Sequence, residues 1–155
     1  MDSDTSRKLK LLARRIGRVE VKPPSIGYQT DVYTPTYLGG TTPGATTYTT
    51  QDGYWVRIGA LVFFNGRVTW TAASGTGAAQ ISLPFTAAIA PSGTFRWSGS
   101  LWTNNVTIGA FSPQMLITQN TAYFNMWTPA NDAGSAVINV EAAGDIVFSG
   151  WFNAA

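Results

Sequence analysis

Five carboxylates follow residue 24, namely Asp31, Asp52, Asp132, Glu141 and Asp145, and the pair that suggests chemistry is Glu141 with Asp145. Two neighbouring acids are the equipment of glycoside hydrolysis, one giving a proton while the other attacks or activates water. The local sequence argues for a plainer role. Asp52 stands in Gln-Asp-Gly and Asp132 in Asn-Asp-Ala-Gly, where an aspartate bonds nearby backbone and stabilises a turn. Glu141-Ala-Ala-Gly-Asp145 reads as a hairpin connection on the same grounds. The chain has no histidine and no cysteine. That removes the commonest general base, the commonest metal ligand, the usual partner of a serine nucleophile, and all thiolate and disulfide chemistry. There is no glycine-rich phosphate loop, nucleophile elbow or metal-ligand spacing. These residues predict a protein that is not an enzyme and uses no cofactor or metal.

The second chemistry on offer is stacking. Trp55, Trp70, Trp97, Trp102, Trp127 and Trp151, with Tyr33, Tyr37, Tyr48, Tyr54 and Tyr123, can present flat apolar faces to sugar rings, with Asn104, Asn105 and Asn120 as hydrogen-bonding partners. The same aromatic area also fills β-cores and subunit interfaces. Trp102 adjoins an Asn-Asn turn, which makes it the candidate for an exposed ring. Trp102, Asn104 and Asn105 are therefore the expected glycan contacts.

The cations are concentrated at the start of the chain. Residues 1–24 carry seven cations against three acids, a net charge near +4, while residues 25–155 carry three arginines against five acids, near −2. Asp2-Ser3-Asp4-Thr5-Ser6 supplies capping side chains and negative charge ahead of a periodic run, which predicts a helix from about Ser6 to Val21. Leu9, Leu12, Ile16 and Val19 fall at spacings of three, four and three, the seam of two heptads. Arg7, Lys8, Lys10, Arg14, Arg15 and Arg18 surround that seam, and Pro23-Pro24 ends it. A helix of roughly sixteen residues is marginal alone in water, so it requires a surface to pack on. That surface is the chain's own body, a phosphate-rich or membrane surface, or an attachment or trimer partner; the heptad seam favours the last. No nucleic acid and no membrane partner is expected. No segment approaches the ~18 apolar residues of a membrane span. Lys10, Arg14 and Arg15 interrupt the apolar run that a secretory signal needs, which predicts synthesis in the cytoplasm without export by that route.

The elements that must position these groups are strands. Residues 25–44 are rich in Pro, Gly and Thr and read as an extended linker ending in an edge strand near Thr34 to Leu38, since Pro35 cannot serve a central ladder. From Ala45 to Gln51, and then through the stretch from Gln51 to Phe85, β-branched and aromatic residues fill short runs and glycines fill the gaps. Thr94 to Thr103 alternates, with Phe95, Trp97, Gly99 and Leu101 on one face and Arg96, Ser98, Ser100 and Trp102 on the other. Runs at Val106–Phe111, Gln114–Thr118, Tyr123–Trp127, Ala136–Val140 and Asp145–Phe152 follow. Eight to ten strands with no intervening helix predict an all-β, jelly-roll-like antiparallel β-sandwich over 45–155, a linker over 25–44 and a basic helical arm over 1–24.

Tyr37-Leu38-Gly39-Gly40-Thr41-Thr42, Thr46-Thr47-Tyr48-Thr49, Gly53-Tyr54-Trp55-Val56-Arg57-Ile58-Gly59, Gly66-Arg67-Val68-Thr69-Trp70-Thr71, Gly75-Thr76-Gly77 and Ile81-Ser82-Leu83-Pro84-Phe85 follow one another in an order that carries a resemblance. It resembles the small β-domains that tailed bacteriophages display on their virions, both capsid decoration (cement) proteins and the receptor-binding heads of tail fibres. The resemblance implies a homotrimer on the virion surface, assembled in the host cytoplasm. Its first implication is a capsid decoration protein. The arm residues Arg7, Lys8, Leu9, Lys10, Leu12, Arg14, Arg15, Ile16, Arg18 and Val19 would then grip the major capsid protein shell. Its second is a tail or baseplate head recognising host glycan through the loops at Asn104 and Asn131.

Overall fold

A computed structural model describes residues 27–90, 95–108, 112–129 and 134–155. The expected arm helix and its anchoring residues, and Asn131, lie outside the described residues. Ten strands are formed: β1 (Tyr28–Tyr33), β2 (Tyr37–Gly39), β3 (Thr46–Ile58), β4 (Leu61–Ala73), β5 (Ala79–Ser82), β6 (Arg96–Asn104), β7 (Gln114–Thr118), β8 (Tyr123–Thr128), β9 (Ala136–Val137) and β10 (Gly144–Asn153). Every pairing is antiparallel. Alternation and turn chemistry placed β6, β7, β8 and β10 to within two residues. The stretch expected as a linker ending in an edge strand holds that edge strand as β2, and also β1. Pro35 lies between them, where its missing N–H costs no ladder bond and its carbonyl accepts from Gln51 Nε2 at 2.9 Å.

The all-β antiparallel expectation holds, but the strands do not divide into two stacked layers. They join in one path, β1-β3-β4-β10-β6-β7-β8-β5-β2, with β9 added beside β8. The sheet curls as a half-barrel until strands far apart along that path share a core. Phe64 on β4 lies 6.4 Å from Phe124 on β8, and Phe148 on β10 lies 5.3 Å from the same ring. The curl follows from strict period-two patterning: Val62, Phe64, Val68 and Trp70 point inward from β4, and Ile146, Phe148 and Phe152 from β10. Each buried side chain of this size contributes about 1.5–3 kcal/mol. A flat ten-stranded sheet would leave that face wet, and strand twist lets it close instead.

Side chains fasten the β2 edge back over β3 and β4. Tyr37 stacks on Trp70 with ring centroids 4.0 Å apart. The Tyr48 hydroxyl accepts from the Tyr37 N–H at 2.7 Å and donates to the Tyr37 carbonyl at 3.0 Å. The loop before β10 is clasped at Glu141, whose carbonyl accepts from Trp70 Nε1 and whose N–H donates to the Tyr37 hydroxyl. Glu141 to Asp145 is therefore no hairpin, because β10 pairs with β4 and β6 rather than with β9.

The longest strands of the sheet form the β3–β4 hairpin, thirteen residues per strand. Its two-residue loop Gly59-Ala60 needs φ of 62° at Gly59, a conformation that glycine adopts without penalty. Asn65-Gly66 lies mid-strand, opposite Gly53-Tyr54. A Cβ on Gly66 would stand 2.5 Å from Phe148 Cζ and 2.6 Å from the Asp52 carbonyl oxygen, so packing from both sides demands glycine there.

Candidate functional site: the outer face from β1 to β6

Since inward and outward residues alternate, the register gives the outer face directly. One row across neighbouring strands reads Val32, Tyr54, Asn65, Ser149 and Ser100, from β1 through β3, β4 and β10 to β6. The row on one side reads Asp52, Arg67, Val147 and Trp102. The row on the other reads Thr30, Val56, Phe63 and Trp151. A solvent-facing antiparallel sheet ordinarily shows polar side chains here. This one exposes Tyr54 at 41%, Phe63 at 44%, Trp102 at 56% and Trp151 at 45%.

Two shallow hollows meet along the middle row. The larger, about 900 Å³, reaches from Val32 and Tyr54 to Trp102 and Val147. The smaller, about 470 Å³, lies toward Phe63 and Trp151. Tyr54, Asn65, Ser100 and Ser149 belong to both. Together they make a continuous groove with a polar floor and aromatic flanks.

Its ionic group is largely spent on itself. Arg67 donates from Nε to Asp145 Oδ1 at 3.0 Å and from Nη2 to Oδ2 at 2.6 Å, and Thr69 Oγ1 also donates to Oδ1. The Arg67 hydrogen bond, helped by that from Thr69, holds the Asp145 carboxyl below the usual aspartate range although burial pushes the other way. Asp145 was expected at the end of a hairpin connection and the start of a strand; it is a buried residue of β10 whose carboxylate is held by Arg67 and Thr69. A general acid for glycoside cleavage needs a raised pKa, so Asp145 is poorly suited to that task. Among the described residues no group of three potential metal-binding side chains occurs.

The three expected glycan contacts separate. Trp102 stands on the groove wall. Asn104 shares its face but lies one step beyond, opposite Asp145. Asn105 turns away with φ of 54° and borders a different depression beside Glu141. Asn120, with φ of 57°, serves a turn between β7 and β8 and donates its N–H to the Ala87 carbonyl. Sequence reasoning missed Asn65, Arg67, Ser100 and Ser149 as a set. The signal was the alternation of β4 and β10, but which outward residues stand side by side depends on register.

No protein-family model matches the sequence, and no curated protein matches it. Among solved structures, the fold is similar to the Dettilon tailspike protein, with a TM-score of 0.61 and 14% identity. The match covers 81% of this chain and 24% of the tailspike, so the chain spans about a quarter of that protein's length.

Proposed function

We propose that this chain is a non-enzymatic structural protein of a phage tail, a homotrimeric β-head that recognises glycan on the host surface. The observation that carries the reading is the shared fold with a tailspike over 81% of the chain. The groove's aromatic flanks and amide and hydroxyl floor support a binding role. The occupation of both Asp145 carboxylate oxygens by Arg67 and Thr69 supports binding without cleavage. The cationic segment at residues 1–24 would join the head to tail or baseplate protein. Cryo-electron microscopy of particles tests this: the reading expects a few to tens of copies on the tail, and hundreds of copies on the shell would overturn it.

A capsid decoration protein is the second reading, and the charge asymmetry of the sequence favours it. In that case Arg7, Lys8, Lys10, Arg14, Arg15 and Arg18 meet an acidic shell while Leu9, Leu12, Ile16 and Val19 pack. Binding only the assembled shell would stabilise it by mass action. Under either reading, deleting residues 1–22 yields a folded body that no longer attaches to particles. Retained attachment would move the anchor into the β-body.

A further inference from the structure

The outer-face groove has a pattern that discriminates among occupants. A protein partner's footprint has an apolar centre, depleted of charge, inside a polar rim. Here the order is inverted. Asn65, Ser149 and Ser100 run through the middle, with Trp102 and Val147 on one side and Phe63 and Trp151 on the other. Such a surface suits a ligand that is itself alternately apolar and polar. A pyranose ring qualifies: its C–H face is apolar and weakly positive, matching the negative face of an aromatic ring, and its hydroxyls can exchange hydrogen bonds with amide and serine groups.

Charge narrows the ligand class. Arg67 is the cation beside the groove, and both of its bonds to Asp145 are made. Asp52 lines the same hollow and its charge also acts on Arg67. An acidic sugar entering there would meet a carboxylate and a cation already neutralised. Size narrows it further. The row from Val32 to Ser100 crosses four inter-strand steps of about 4.8 Å, or about 19 Å in all, which suits a short run of sugar units rather than a single one. A hollow of about 900 Å³ falls within the usual range for small-molecule sites.

We propose that the groove flanked by Trp102 and Trp151, floored by Asn65, Ser149 and Ser100 and continued by Tyr54, binds an uncharged saccharide chain laid across the strands. This rests on the host-recognition reading above and gives it a place and a ligand class.

The test applies full-length protein to an array of purified bacterial surface polysaccharides, neutral and anionic, alongside Trp102→Ala and Asn65→Asp. Light-scattering mass and thermal melting accompany each variant, and Asn65→Asp guards against a folding failure in the tryptophan variant. The expected result is binding to neutral polysaccharide, weakened at least tenfold by each substitution with mass and melting unchanged. Wild-type binding untouched by either substitution overturns the groove and leaves host recognition standing. Binding confined to anionic polysaccharides overturns the ligand class. Absence of any wild-type binding overturns host recognition and the site with it. A fall in mass for both variants shows the face to be an interface between copies, and likewise overturns the proposal.

Discussion

The inward residues of β4 and β10, among them Phe64, Val68, Phe148 and Phe152, and the outward ones between them, among them Phe63, Asn65, Arg67, Ser149 and Trp151, come from the same two strands and meet opposite surroundings. Inward positions are uniformly apolar and filled by volume. Outward positions mix aromatic, amide, hydroxyl and ionic groups in rows that run across the sheet. An inward residue answers to packing, so any side chain of similar size and polarity serves. An outward residue has no packing requirement, and a specific choice there, such as Trp102 opposite Val147, calls for another explanation. The comparison separates stability from recognition within a single element.

Truncating an inward ring gives the largest expected effect. Phe148→Ala removes a side chain that touches Phe64 and Phe124 and lies over Gly66. The residual cavity and lost burial predict a destabilisation of about 3–5 kcal/mol, measurable by urea denaturation. An outward truncation such as Trp151→Ala should stay within about 0.5 kcal/mol by the same method. Similar losses for the two would erase the distinction.

The next effect isolates the clasp at Glu141. Tyr37→Phe keeps the ring stacked on Trp70 but deprives the Glu141 N–H of its acceptor. Leaving that donor without a partner should cost about 1–3 kcal/mol. The variant also has an alkaline signature. Burial pushes the Tyr37 hydroxyl up to about 12. The unfolded chain thus releases this proton near the ordinary tyrosine value while the native state keeps it, so stability falls as pH rises from about 10 toward 12. Tyr37→Phe should flatten that part of the stability profile, and an unchanged alkaline limb would contradict the assignment.

How much of this was legible beforehand depended on whether the information was local. Alternation in β6 correctly separated Trp97, now buried, from Trp102, now exposed, because period two is written within one strand. Absence of histidine and cysteine likewise needed no structure. The role of Asp145 was not legible: its partners Arg67 and Thr69 lie 78 and 76 residues away. Its short-range context, Ala-Gly-Asp, resembles a turn. β1 was hidden for a related reason. Tyr28 and Val32 are exposed at 63% and 73%, and a strand that barely contributes to the core carries little hydrophobic pattern. The single curled sheet could not be told from a sandwich, since both require the same alternation and differ only in which strands meet at the edges.

Asp145 is the outward residue that behaves as an inward one, and Asp145→Asn sharpens the rule. Its carboxyl lies below the usual range in the folded protein. The associated stability is therefore present above the unfolded aspartate value near 4 and disappears as pH falls through the depressed folded value. Because Arg67 remains half exposed, solvent limits the effect to about 1 kcal/mol at pH 7. Urea midpoints of wild type and Asp145→Asn should differ at pH 7 and converge in acid. A constant difference would mean that the pattern of acceptors, not charge, is what the carboxylate supplies.

The smallest expected effect has the opposite sign. Tyr33 is an inward residue of β1 whose ring covers Gly53, and its hydroxyl is buried without a hydrogen-bond partner. Burial pushes that hydroxyl well above the usual tyrosine range, so ionisation opposes folding. Tyr33→Phe retains the ring and deletes an oxygen that lost its water bonds without replacement. If inward positions answer only to packing, the substitution is neutral or stabilising by up to about 1 kcal/mol, and it removes a second contribution to alkaline unfolding. Tyr37→Phe and Tyr33→Phe are chemically the same change on the consecutive strands β2 and β1, and the comparison predicts that only Tyr37→Phe lowers the urea midpoint. A loss of stability from Tyr33→Phe comparable to that from Tyr37→Phe would show that the Tyr33 hydroxyl has a partner in the assembled protein, and would place β1 at a contact rather than at a free edge.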